Sequence, residues 1–190
     1  LIPDNYELKP ELVISLPKDQ TVYTGLDALS QGIESYWSPL ATGERKHWAK
    51  LAIRYASKYL YDSWLHLDSE TLRQKMLWAA NYSGKAINIT RTSICHAISY
   101  PLTIHYGIPH GQACIHTIPF FIRYFQDGFI NANRVEKMIR DMDVRIKLTF
   151  DKELVAKEAL ESSRAKNTPK PITKEIILQA LNENIFSSNL

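Results

Sequence analysis

Four side chains in two stretches of this sequence are of the types that hold a divalent metal of the first transition row. In TGLDALSQGIESYW, Asp27 and Gln31 stand four apart, which on a helix puts a carboxylate and an amide on one face, one turn from each other. In TSICHAISYPLTIHYGIPHG, His96 lies in an apolar run with Tyr100 four residues on. His110 follows 14 residues after His96, beyond the Gly107-Ile108-Pro109 turn. A helix, a tight turn and a second helix start can fold two imidazoles back toward one point, and Asp27 can supply a third ligand. The spacing permits this without requiring it. His96 also fits a core histidine with hydrogen-bonded ring nitrogens, Asp27 an acidic residue in a helix's first turn, and His110 ordinary loop punctuation.

The elements that must position these residues are helical. The opening LIPDNYELKPELVISLP, residues 1–17, carries three prolines, so it suits an extended connector with turns. After Thr24-Gly25, Leu26, Leu29, Ile33 and Trp37 recur at helical spacing, and Pro39 ends the run. From Glu44 to Leu65, Trp48, Ala52, Tyr55, Ala56 and Tyr59 form an apolar stripe opposite Lys46, Lys50, Arg54 and Lys58. Asp68 or Ser69 offers an N-cap for a following helix with Leu72, Met76, Ala79, Ala80 and Ser83 inward, weakened near its end by Gly84. The runs 91–106 and 111–125 are apolar enough to be central helices. Weaker patterns follow at Val135, Met138 and Met142 and at Leu154, Val155 and Ala159, then a basic loop over 164–171. Thr173 caps a last helix with Ile176, Ile177, Ala180 and Leu181 inward, and the tail from Asn184 frays. Residues 18–190 therefore read as one all-α domain, a helical bundle.

Composition narrows the classes. A chain of 190 residues with 45% hydrophobic content can bury a full core. Its +3 charge is spread rather than gathered into a stripe, so no nucleic-acid partner is implied. Every apolar run is interrupted before the roughly 18 to 20 residues that a bilayer span demands, so no membrane partner is implied either. Cys95 and Cys114 lack paired zinc-ribbon spacing and no secretory leader precedes them, which makes a reducing cytoplasm the default. Residue 1 is Leu and the opening reads like mid-protein, which suggests a fragment.

The wording of the two stretches goes further than their chemistry. TGLDALSQGIESYWS and HAISYPLTIHYGIPHG closely resemble the two metal-binding signatures of the iron-containing alcohol dehydrogenases. ELKPELVISLP is similar to the segment leaving that family's nucleotide-binding domain, and RAKNTPKPITKEIILQAL to its usual ending, so the likeness runs from about Tyr6 to Leu181. The resemblance implies the helical C-terminal domain of the dehydroquinate synthase-like fold. It also implies four ligand positions for Fe(II) or Zn(II): Asp27, Gln31, His96 and His110.

Two positions depart from the family pattern. Gln31 stands where the family has a histidine, and offers a weak neutral oxygen in place of an imidazole. Tyr100 stands where many members carry a histidine near the nicotinamide, and its phenol is the catalytic candidate as a hydrogen-bond donor to substrate. Gln31 with HAISYPLT and GIPHG most resembles the phosphonoacetaldehyde reductase branch. A phosphonate needs a cation in the cleft, for which Arg91 is the candidate; a solvated or helix-capping arginine is the simpler account of it.

The resemblance implies an NAD(P)-dependent reduction of a small aldehyde, or oxidation of the alcohol, in a cleft between two domains. The seven glycines contain no Gly-x-Gly cluster to cradle a pyrophosphate, so NAD(P)H is expected to sit mainly on a domain outside these residues. The chain alone is then expected to be inactive, and the face that would meet the other domain makes self-association into a homo-oligomer an expectation. Two other classes stay open. A helical metal-dependent hydrolase predicts an adjacent His-Asp pair, approached only by His66-Leu67-Asp68. A non-catalytic helical module predicts a site that has lost its metal through Gln31.

Overall fold

The structure, a computed structural model, describes residues 3–126, 128–146 and 149–183; the expected fraying of the tail from Asn184 lies outside them. Among the described residues there is no strand, and the architecture is all-α. Among the described residues no helix is long and apolar enough to cross a membrane.

The central element is α1 (Lys18–Trp37), buried along most of its length from Thr21 to Trp37. Two long helices, α2 (Gly43–Leu65) and α3 (Glu70–Thr90), pack on one another and on α1. The alanine row Ala49, Ala52 and Ala56 of α2 is fully buried, and such small side chains let helix backbones approach closely. Ser69 caps α3, its hydroxyl accepting from the Leu72 amide. The helix passes through Gly84 to Thr90, beyond the expected weakening. Its inward face differs from the simple apolar stripe: Ala80 is exposed and Arg73 is 3% exposed. The Arg73 guanidinium donates to Thr21 Oγ1 at 2.6 Å and to the carbonyls of Leu16 and Leu67 at 2.9 Å, which fastens the end of the opening segment to the bundle.

On another side of α1 lie α4 (Ile94–Tyr106) and α5 (His110–Ile115), which pack on each other. They are followed by α6 (Ile118–Phe125), α7 (Ala132–Asp141), α8 (Lys152–Glu161) and α9 (Lys174–Asn182). Thr173 caps α9 as its position predicts, accepting from the Ile176 amide. A short 3-10 turn, Ser163–Lys166, overlaps the start of the expected basic loop.

Three boundaries differ from the sequence expectation. The first helix begins at Lys18, with Thr24-Gly25 inside it, because Gly25 is where Leu60 of α2 crosses: a Cβ there would lie 2.2 Å from Leu60 Cδ1. The run 111–125 is two helices, since Pro119 has no amide proton to continue the ladder and its ring crowds the carbonyl four residues back. Residues 91–93 are not helical, and α4 starts only at Ile94.

Candidate metal centre

Asp27, Gln31 and Glu34 lie at i, i+4 and i+7 on α1 and share one face. Glu34 is fully buried and organises the start of α4. Its carboxylate accepts from the backbone amides of Ser93 at 2.9 Å, Cys95 at 2.5 Å and His96 at 3.2 Å, which are unsatisfied donors at a helix N-terminus. The same carboxylate meets His96 Nδ1 at 2.5 Å, leaving Nε2 facing Asp27 Oδ1 at 3.2 Å. Carboxylate on one imidazole nitrogen and a metal on the other is a common way of fixing a ligand's tautomer and ring plane.

His110 arrives by a different route. Gly107 ends α4 in the left-handed region (φ 66, ψ 16), its amide donating to Leu102 and Thr103 carbonyls, and Pro109 leads into α5 with His110 as its first residue. Gly111 then lets α5 lie against α1: a Cβ there would sit 1.8 Å from the Tyr23 carbonyl oxygen. This contact sets His110 Nε2 3.7 Å from Asp27 Oδ1, with Nδ1 3.4 Å from the Ser99 hydroxyl. Cys114, one turn along α5, brings Sγ to 3.5 Å from His110 Nε2. One donor atom from each of Asp27, His96, His110 and Cys114 lies within 4.8 Å of the others.

The electrostatics favour a cation. Burial alone would lower the His96 pKa, but Glu34, with Cys114 and Asp27, reverses this and lifts it well above the ordinary imidazole value. The contact with Cys114 raises that of His110. Burial would raise the Cys114 thiol, yet the two imidazoles pull it below the ordinary thiol value. Surroundings that hold protons on imidazoles beside carboxylates and a thiol also favour a metal cation, and these donors are of the kinds that bind Fe(II) or Zn(II).

Gln31 lies beside this cluster with both ends of its amide hydrogen-bonded. Its Nε2 donates to Asp27 Oδ2 at 2.9 Å, a carboxylate oxygen that can only accept, and its Oε1 accepts from the Ser83 hydroxyl at 3.0 Å. Tyr100 and Arg91 line the same cleft as His96 and His110, a space of about 460 Å³ that Arg164 also borders. Tyr100 stacks on His110 with centroids 5.7 Å apart, and the Arg164 guanidinium lies 4.9 Å from the Tyr100 ring.

Arg91 is the C-cap of α3, its amide donating to the Ile87 carbonyl, with φ 58 and ψ 179. For a residue with a side chain this backbone is strained. Asn167 holds it from both sides, its Nδ2 donating to the carbonyls of Thr90 at 2.7 Å and Thr92 at 3.1 Å while Ser38 donates to its Oδ1.

Asp27, His96 and His110 thus converge, with Tyr100 and Arg91 on the adjoining cleft. His66 and Asp68 sit exposed between α2 and α3, outside the cluster. Glu34, Cys114, Arg164 and Asn167 were not foreseen. Glu34 at i+7 from Asp27 and Cys114 at i+4 from His110 carried a signal in their spacing; Arg164 and Asn167 meet the site only through the tertiary fold.

Comparison with known proteins places this geometry. Residues 21–153 match the C-terminal region of the Fe-containing alcohol dehydrogenase family. A phosphonoacetaldehyde reductase of Streptomyces viridochromogenes is 38% identical over 122 residues, covering 64% of this chain and 31% of that protein. An iron-containing alcohol dehydrogenase of Thermotoga maritima superposes with a TM-score of 0.83 at 26% identity, over 90% of this chain and 51% of that one. A sulfoacetaldehyde reductase of Bifidobacterium kashiwanohense, solved with NAD+, superposes with a TM-score of 0.79 at 28% identity, over 95% and 54%. The chain therefore spans about a third of that curated relative and about half of these solved structures. With the match extending over most of its length, the chain belongs to the iron-containing alcohol dehydrogenase family, within that family's helical C-terminal part.

Proposed function

We propose that this chain is the metal-holding wall of an NAD(P)-dependent aldehyde reductase or alcohol dehydrogenase, its substrate a small aldehyde or alcohol. The observation that carries this reading is the convergence of Asp27 Oδ1, His96 Nε2 and His110 Nε2 with Glu34 fixed behind His96. Those three atoms would hold the cation. A bound Fe(II) or Zn(II) supplies Lewis acidity at the carbonyl oxygen, and NAD(P)H supplies the hydride. Glu34 keeps the His96 proton on Nδ1. Tyr100 would donate a hydrogen bond to the substrate oxygen from its seat against His110.

Arg91, at the same cleft, would bind an anionic end of the substrate. Two of the relatives are named for aldehydes bearing a phosphonate or a sulfonate, which supports a substrate of that charge. The nicotinamide nucleotide would be bound by a domain outside these 190 residues, so this chain alone should not turn over NADPH with an aldehyde.

The test is metal content and turnover. Stoichiometric transition metal in the purified protein, lost in His96→Ala, supports the reading; a protein that neither carries metal nor takes up added Fe(II) or Zn(II) overturns it in favour of a non-catalytic module. In the whole enzyme, Arg91→Ala should raise KM for phosphonoacetaldehyde about 10- to 100-fold and leave KM for an uncharged aldehyde of similar length within about twofold. Equal effects on both substrates would remove Arg91 from anion recognition.

A further inference from the structure

We propose that Cys114 is a direct thiolate ligand of the cation, completing a four-donor set with Asp27, His96 and His110, and that Gln31 positions Asp27 instead of ligating. The inference rests on the metal site proposed above and concerns which of this chain's atoms complete it.

Three of the donor–donor distances are close to those of such a set. With metal–sulfur bonds near 2.3 Å and metal–nitrogen or metal–oxygen bonds near 2.1 Å, tetrahedral ligands lie about 3.6 Å apart for sulfur and nitrogen and about 3.4 Å for nitrogen and oxygen. Cys114 Sγ stands 3.5 Å from His110 Nε2. His96 Nε2 and His110 Nε2 stand 3.2 and 3.7 Å from Asp27 Oδ1. All four donors lie within 4.8 Å of one another, so a pair near that limit would have to close by about 1 Å around a bound cation. Each imidazole turns its Nδ1 to a protein partner, Glu34 for His96 and the Ser99 hydroxyl for His110, so both Nε2 atoms remain for the centre.

Gln31 has the opposite arrangement. Its nitrogen holds Asp27 Oδ2 and its oxygen accepts from Ser83, which leaves Asp27 Oδ1 as the oxygen facing the imidazoles. Cys114 itself is fully buried one turn along α5 from His110, with its sulfur turned toward the His110 ring. Coordination replaces the thiol S–H bond by a metal–sulfur bond and releases the proton to solvent. The set of two imidazoles, one carboxylate and one thiolate suits Zn(II) better than a set of harder donors would.

The experiment uses cobalt(II) as a coloured substitute, titrated into the purified metal-free protein and followed by visible and near-ultraviolet absorption and by equilibrium dialysis. The expected result is one cobalt per chain with a sulfur-to-cobalt charge-transfer band. Cys95→Ala keeps the band, whereas Cys114→Ser loses it and binds cobalt at least about tenfold more weakly. Gln31→Ala keeps the band with affinity about 10- to 100-fold lower, as for a residue that orients a ligand. Cobalt bound stoichiometrically without the band, or a band that survives Cys114→Ser, overturns the thiolate ligand while leaving the metal site intact. Unchanged cobalt affinity in Gln31→Ala overturns the positioning role. A protein that binds no cobalt overturns the site itself, and the assignment of Cys114 with it.

Discussion

Glu34 joins two helices through one side chain, because the carboxylate that terminates the amide row of α4 also fixes the His96 ring. Replacing it by glutamine keeps the volume but points an NH2 group at donors, so at least one buried amide loses its acceptor. Glu34→Gln should destabilise the protein by on the order of 3 kcal/mol, read from denaturant or thermal unfolding. It should also weaken metal binding about 10- to 100-fold, because the His96 tautomer is no longer enforced. A variant as stable as the parent would show that the α4 N-terminus finds other acceptors.

At the scale of elements, the site depends on how closely α5 approaches α1. Gly111→Ala would force a Cβ into the Tyr23 carbonyl, backbone that cannot rotate away, whereas Gly25→Ala meets the far ends of the flexible Leu60 and Met76 side chains. The first substitution should cost more than the second, with about 3 kcal/mol for Gly111→Ala against about 1 kcal/mol for Gly25→Ala. Only the first should also shift His110 and impair metal uptake; comparison of unfolding curves and bound metal for the two variants decides this.

These elements were mostly legible beforehand. The α2 and α3 helices announce themselves by period, and Ser69 and Thr173 by their capping positions. The break between α5 and α6 was missed because apolar content says nothing about continuity, while Pro119 does. Asp27, His96 and His110 are singled out by the wording of their motifs rather than by their chemistry, since each has an ordinary structural explanation in isolation. Asn167 lies more than 70 residues from the backbone carbonyls it holds, and Arg164 as far from the Thr92 hydroxyl it donates to, and no local pattern encodes such contacts.

For the whole molecule, donors drawn from α1, α4 and α5 mean that a bound cation crosslinks three helices. Metal should therefore raise thermal stability with the logarithm of its free concentration above Kd. Free metal at about 100 times its Kd adds roughly 2.7 kcal/mol, which a chelator should remove. A melting temperature indifferent to both would argue that the unfolded chain binds the metal equally well or that the site stays empty.

The strained backbone of Arg91 carries an evolutionary consequence. Glycine is at ease at φ 58 and ψ 179, so Arg91→Gly should raise thermal stability, by about 1 kcal/mol, while deleting the cation that faces the cleft. A laboratory selection for heat resistance alone would drift toward that exchange; one that also demands growth on an anionic aldehyde would keep the arginine and its discomfort.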